Sequence, residues 1–273
     1  MIDSKFDPFV AEWASYVNNP NLGPIEKYLK MAQLLEYPDL DIGAYVEKIN
    51  ILGKHCWSVC PDEGEIIDRV SRFNGEFFGS LGYGPNEADY YDPRNNFLNE
   101  VVDKKTGIPI TISIMYAEVA KHTGLDVRVV DFPGHVLAKI GETIILDPYN
   151  GGMIVKHRDL QIILDNTFDG EVLFRPEYLD EARPENIMIR MARNLKNSYM
   201  YSYDYERAKR CADMVLAFDP ESPEDVRDKG IIEGRLLHYK DSLTHLNRYL
   251  EINPSGYDVD HVLEMIKSIR EKI

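Results

Sequence analysis

The chain has 273 residues, 44% hydrophobic and 28% charged, with 31 Lys and Arg against 46 Asp and Glu for a net charge of −15. That length suits one large core or two domains, and the composition is that of a globular protein. The charge argues against nucleic acid or anionic membrane as a partner, because binding phosphate needs a concentrated positive field and no basic cluster supplies one. No apolar run reaches the roughly 18–20 residues of a membrane span. The opening MIDSKFDPFV lacks the charged-then-apolar pattern of an export signal. Three Cys, sparse and odd in number, fit a reducing compartment better than a disulfide framework, so the expected location is cytoplasmic.

Residues 5–60 read as short helices. Phe9, Trp13, Tyr16 and Val17 keep helical spacing, Ile25 to Leu35 give a second apolar stripe, and Ile42 to Cys60 a third. Cys56 and Cys60, four apart beside His55, invite a metal reading. A zinc site needs a further ligand pair, and none is placed nearby. Two Cys on an apolar helix face are better read as small core residues, and neither a metal nor a cofactor is expected. A helix over Glu65–Phe78 ends at Gly79. In LGYGPNEADYYDPRNNFLNEVV, Gly82, Gly84 and Pro85 force a loop, to which Tyr83, Tyr90, Tyr91 and Phe97 add aromatic bulk. Its aromatic residues are read as covering the core rather than lining a pocket. Asn95 or Asn96 is placed as the cap of a short helix, Phe97–Val102.

The segment from Gly107 to Tyr149 organises the rest. Ile110, Ile112 and Ile114 alternate with Thr111 and Ser113 in the manner of a strand. Pro109 suits a first helical position, however, and Gly124, preceded by Lys121 and His122, suits a left-handed stop. A buried helix is therefore expected from Ile108 to about Lys121. Asp126–Phe132 alternates as a strand, and Pro133–Gly134 turns the chain. His135–Ile140 and Thr143–Leu146 form a hairpin, closed by Asp147–Pro148 because Pro cannot continue a central ladder. Asn150-Gly151-Gly152 is a tight turn, Met153–Val155 a short strand, His157–Leu164 a helix with His157 at the surface, and Arg175–Pro184 a boundary.

Helix, strand, a strand opening with His135, and a strand ending at Asp147 together resemble the transglutaminase-like core. In that core a helix-terminal Cys precedes a His and an Asp on successive strands. GIPITISIMYAEVAKHTGL, FPGHVLAKI and LDPYNGG are similar to the SirB1 branch of the superfamily, over roughly residues 70–180 (its members also carry a helical tail). The resemblance implies an α+β, papain-like fold with an antiparallel sheet and a buried helix. It maps the superfamily's G-x-Cys onto Gly107-Ile108-Pro109. Proline then stands at the nucleophile position, while His135 and Asp147 remain. Without the resemblance, a His after Pro-Gly that bonds a carboxylate serves stability equally well.

From Pro184 the text changes. Asp219-Pro220 recurs as Asn253-Pro254, a spacing of 34 that also pairs Tyr205 with Tyr239, Ala208 with Ser242 and Leu216 with Leu250. This is the tetratricopeptide length. Lys196 occupies a position usually held by a small residue, and Val259–Ile269 suits a capping helix. The expected domains are 1–69, helical and packed on the core; 70–183, the transglutaminase-like core; and 184–273, the repeats.

Two functions follow. One is a non-catalytic interaction or regulatory protein that takes a protein or peptide partner on the repeats or in the core cleft. Thiol chemistry needs an activated thiolate, and Pro109 offers none. The other is a hydrolase in which Thr111 or Ser113 is activated by His135 and oriented by Asp147. Against it, a shift of two residues on a helix turns a side chain by about 200°.

Overall fold

The computed structural model describes residues 8–273; positions 5–7 of the expected front helix lie outside the described residues. Two compact units emerge, one built from residues 24–33 and 39–187, the other from the described residues up to 23 with 34–38 and 188–273. Helix α1 (Pro8–Val17) belongs to the second unit, and helix α2 (Pro24–Leu35) contributes to both. The front of the chain is thus divided between the two units. The indole of Trp13 donates to the carbonyl of Met214 at 3.2 Å and its ring meets Phe218 edge-on. No helix among the described residues is long and apolar enough to cross a membrane.

The first unit continues with α3 (Ile42–Val59), α4 (Ile66–Asn74), a two-residue β1 (Gly84–Pro85), α5 (Leu98–Lys104), β2 (Thr106–Gly107) and α6 (Pro109–Lys121). β3 (Val127–Val130), β4 (Leu137–Ile140), β5 (Ile144–Asp147), β6 (Met153–Ile154) and α7 (His157–Phe168) complete it. Helix α6 packs against α3, α5, β3 and β4. Ile110, Thr111, Ile112, Ser113, Ile114, Met115 and Tyr116 are all buried. A helix apolar on every face is a core helix, which is why its sequence alternates like a strand without being one. Strands β3 to β6 form an antiparallel sheet in that order, with Val127 opposite Ile140, Ala138 opposite Leu146 and Asp147 opposite Met153. Leu137, Ile145, Leu160 and Leu164 join sheet to α7 in one apolar cluster.

Two local expectations need correcting. The helix expected over Glu65–Phe78 is α-helical only to Asn74 and continues as a π-helical turn, Gly75–Ser80, where Leu81 N–H reaches Glu76 O at 2.8 Å. The wider turn brings both Phe77 and Phe78 within 5.5 Å of the Tyr116 ring. Neither Asn95 nor Asn96 caps α5. Phe97 holds that position without a side-chain bond, and the asparagines lie in a 3-10 turn, Pro93–Asn96, opened by the Asp92 carboxylate. Asn95 instead ties down the loop before it, donating to the carbonyls of Asp89 and Tyr90.

The second unit is helical: α8 (Pro184–Tyr201, shared with the first unit), α9 (Tyr205–Leu216), α10 (Pro223–Arg235), α11 (Tyr239–Ile252) and α12 (Val259–Arg270). Helices α9 and α11 start at Tyr205 and Tyr239, which reproduces the 34-residue period. Helices α10 and α11 approach so closely at Gly230 that a Cβ there would lie 2.8 Å from Leu246. In the preceding repeat the equivalent position is Lys196. Its buried ammonium sits 2.7 Å from Asp225 Oδ1 and 2.6 Å from Asp228 Oδ2.

Candidate functional site

Two turns assemble the site. In Phe132-Pro133-Gly134-His135 the His135 N–H closes on Phe132 O at 3.0 Å, and Gly134 has φ +77°. Pro at the second place and a left-handed Gly at the third are the requirements of a type II turn. A side chain at Gly134 would also strike Thr167. His135 thus sits on the turn, two residues before β4 begins at Leu137, rather than opening the strand itself. In Asp147-Pro148-Tyr149-Asn150 the Asn150 N–H closes on Asp147 O at 3.2 Å, so Asp147 ends β5 and the turn folds Asn150 back over it.

The structure brings His135 and Asp147 together: His135 Nε2 lies 3.0 Å from Asp147 Oδ2. Asn150 Nδ2 donates to the same oxygen at 2.7 Å, and its backbone N–H reaches Oδ1 at 3.2 Å. Burial of Asp147 would raise its carboxyl pKa. The hydrogen bond and charge of His135, with the two bonds from Asn150, outweigh that and hold it below the usual carboxylate range. The Tyr149 ring stands edge-on to His135 at 6.3 Å, and Tyr90 from the loop reaches Tyr149 at 6.4 Å. The loop therefore does two jobs. Tyr83 and Phe97 are buried in the core, whereas Tyr90 and Tyr91 stay exposed beside the site.

Pro109, half-buried, is the first residue of α6. Thr111 and Ser113 are completely buried and already engaged. Thr111 Oγ1 donates to Asn95 O at 2.8 Å and accepts from Ile108 N–H at 3.2 Å, while Ser113 Oγ donates to Val136 O at 3.2 Å. The Ser113 bond fastens α6 to the residue after His135. Pro109 lies one turn earlier on the same helical face. The three thiols are buried elsewhere. Burial, then Cys60 and Glu76, pushes the Cys56 thiol up to about 12. Burial likewise raises Cys60 and Cys211, the reverse of what a nucleophilic thiol needs. His55 is engaged with Glu76 at 2.7 Å, and no three His, Cys, Asp or Glu among the described residues converge on a possible metal position.

Sequence reasoning missed Asn150, Tyr149 and Tyr90. The run Asn150-Gly151-Gly152 signalled only a turn. A signal was available in Asp-Pro-x-Asn, since an Asp followed by Pro favours a turn that returns the fourth residue to the first. Behind the site, Asn74 donates to Gly152 O at 2.9 Å and accepts from the Tyr116 hydroxyl at 2.7 Å, which pins the Gly-Gly turn to α6.

The profile of the transglutaminase-like superfamily matches residues 43–193, and a tetratricopeptide repeat profile matches residues 195–267. A UPF0162 protein of Xylella fastidiosa (strain 9a5c) is 33% identical over 233 residues, spanning 83% of each chain. Protein SirB1 of Salmonella typhimurium is 27% identical over 238 residues, 86% of each chain, and a UPF0162 protein of Vibrio cholerae is 26% identical over 204 residues, 73% of this chain and 74% of its own. With the superfamily profile covering more than half of its length, a His–Asp pair on the matched segment and the repeat profile following directly, the chain belongs to the transglutaminase-like superfamily and carries a tetratricopeptide-repeat region after that core.

Proposed function

We propose that this chain is a non-catalytic member of its superfamily. In this reading the His135, Asp147 and Asn150 group binds rather than reacts, and the repeats dock a protein or peptide partner in the cytoplasm. One observation carries it: Pro109, with no thiol and no hydroxyl, is the first residue of the buried helix, the position onto which the resemblance maps the superfamily's nucleophile. The repeat region supports the second half, because stacked helical repeats present concave surfaces suited to proteins. The competing reading is a hydrolase using Thr111 or Ser113 with His135 and Asp147. Both hydroxyls are fully buried and already donate to backbone carbonyls, which weighs against it.

The test restores the missing atom. Pro109→Cys puts a thiol at a helix N-terminus and, in this reading, facing His135; both lower a thiol pKa. The variant is expected to be alkylated by iodoacetamide at pH 6 about tenfold or more faster than Cys56, Cys60 or Cys211, and His135→Ala is expected to remove the excess. Equal reactivity of all four thiols in the folded protein would overturn the assignment of position 109. Fluorophosphonate labelling of the unaltered chain at Thr111 or Ser113, abolished by His135→Ala, would overturn the non-catalytic reading.

A further inference from the structure

A cavity of about 120 Å³ opens in the first unit, away from His135 and Asp147. Its walls come from the first turn of α2, the middle of α6, β3, and the stretch 181–187. That stretch closes on the sheet where Ala182 N–H bonds Val129 O at 2.9 Å. Ile25, Ile114, Ala117, Val129 and Ile187 make most of the lining apolar. Apolar concavity with a few convergent polar groups is the usual character of a small-ligand site.

Three polar groups of the lining have capacity to spare. Tyr28 is only 5% exposed, and its hydroxyl has no hydrogen-bond partner among the described residues. The ring is buried while the hydroxyl opens on the cavity, where it is free to donate to or accept from whatever occupies that space. Glu118 engages Lys121 through Oε2 at 2.6 Å, which leaves Oε1 uncommitted. Arg128 engages Asp126 through Nε and Nη2, with Glu181 3.8 Å from Nε, which leaves Nη1 uncommitted.

We infer that this cavity binds a small aliphatic α-amino acid as its zwitterion. The branched side chain fills the apolar interior, the ammonium group lies between the Tyr28 hydroxyl and Glu118, and the carboxylate meets Arg128. Size agrees. A cavity of about 150 Å³ takes benzene, so this one takes a side chain of three or four carbons with the charged head at the mouth. Charge agrees as well. Burial and the carboxylates of Glu185 and Glu118 push the Tyr28 hydroxyl pKa well up, which marks a negative field where the ammonium would sit. At the other side Lys121 holds Glu118 Oε2, and Asp126 and Glu181 flank Arg128, so the carboxylate has the Nη1 edge of the guanidinium to meet, and planar donors suit a carboxylate.

The test titrates the full chain with L-leucine by calorimetry, beside two fragments of it. Isopentylamine lacks the carboxylate and 4-methylpentanoate lacks the ammonium. L-leucine is expected to bind saturably and each fragment about tenfold or more weaker, since each forgoes a charge-assisted bond. Tyr28→Phe, which keeps the ring and its packing, is expected to weaken L-leucine about threefold to tenfold. Arg128→Gln is expected to erase the advantage of L-leucine over isopentylamine while leaving isopentylamine unchanged. No saturable binding of L-leucine, fragments that bind as well as it does, or both variants binding like the parent would each overturn the inference.

Discussion

The two units bury polarity in different proportions. In the core unit the buried polar residues are mostly neutral, Asn95, Asn96, Asn99, Thr111, Ser113 and Thr123, with Lys30, Lys139 and Asp147 the charged ones. In the repeat unit the corresponding set is Lys196, Asp213, Ser222, Asp225, Glu233 and Ser242, four of them charged. The core hydroxyls spend themselves on backbone: Thr111 on Asn95 O, Ser113 on Val136 O and Thr123 on Ala120 O. The repeat charges spend themselves on one another. Asp225 accepts from Lys196, Arg193 and the Ser222 hydroxyl, and Asp213 pairs with Lys229 at 2.5 Å. A hydroxyl-to-carbonyl bond fixes one chain segment at low cost. A buried ion pair adds little net stability over an apolar filling of the same shape, yet it penalises every arrangement that separates the charges. We expect the charges to act there as a device against any helix arrangement that parts Lys196 from Asp225, while the core hydroxyls each tie one backbone segment.

The largest effect should come from breaking that device. Asp225→Ala strands the Lys196 ammonium with Asp228 as its remaining partner and should cost about 3 kcal/mol. Urea unfolding of the full chain measures it. Adding Lys196→Met to Asp225→Ala should return at least half of the loss, because an apolar side chain carries no desolvation penalty. A cost below about 1 kcal/mol for Asp225→Ala would remove the contrast between the units, since it would place the pair among surface bridges.

Acid should separate the units a second way. Burial, with help from Lys229, pulls the His245 imidazole from its ordinary 6.5 down to about 4. Above pH 6.5 the ring is neutral folded or unfolded. As the pH falls, the unfolded chain takes the proton first, so stability is lost between about pH 6.5 and 4, by up to roughly 2 kcal/mol once solvent screening is allowed for. Asp147 and Asp225 work lower. Their folded pKa values lie below the ordinary 3.8, so their contributions are complete above that pH and vanish only as it falls through the folded values. Hydrogen exchange at pH 7 and pH 5 should show α10 and α11 loosening while α6 and β5 do not, and His245→Gln should remove the difference. Equal loosening in α6 would contradict it.

Much of this was legible in the sequence, for local reasons. Pro109, Pro133-Gly134 and Asp147-Pro148 are residues whose backbone limits dictate a helix start and two turns, and those turns place His135 against Asp147. The 34-residue period was legible because repeats restate themselves. What stayed hidden depends on distant partners. Lys196 and Asp225 are 29 residues apart and look like ordinary surface charges until α8 and α10 stand side by side. The π-helical turn at Gly75–Ser80 serves Tyr116, 36 or more residues away, and no local pattern announces it. Tyr90 reads as loop bulk because its neighbour, Tyr149, lies beyond two α-helices and four strands.

The smallest effects test the core half of the comparison, and with it the competing hydrolase reading. Thr111→Val keeps the shape of the side chain but leaves Asn95 O and the Ile108 N–H without their shared partner, at about 1.5 kcal/mol. Ser113→Ala removes only the donor to Val136 O and should cost about 1 kcal/mol. If these hydroxyls are structural ties, both variants lose stability in urea, and in the Pro109→Cys background Ser113→Ala slows alkylation more than Thr111→Val does, because only Ser113 anchors the segment that carries His135. If either hydroxyl were a nucleophile held ready for His135, it would not be committed to a carbonyl. Its removal would then leave stability unchanged or improved, as removing a strained, function-bearing group often does. A stable Ser113→Ala variant whose Pro109→Cys thiol reacts as fast as before would therefore count against the structural reading of Ser113 and return the hydrolase to consideration.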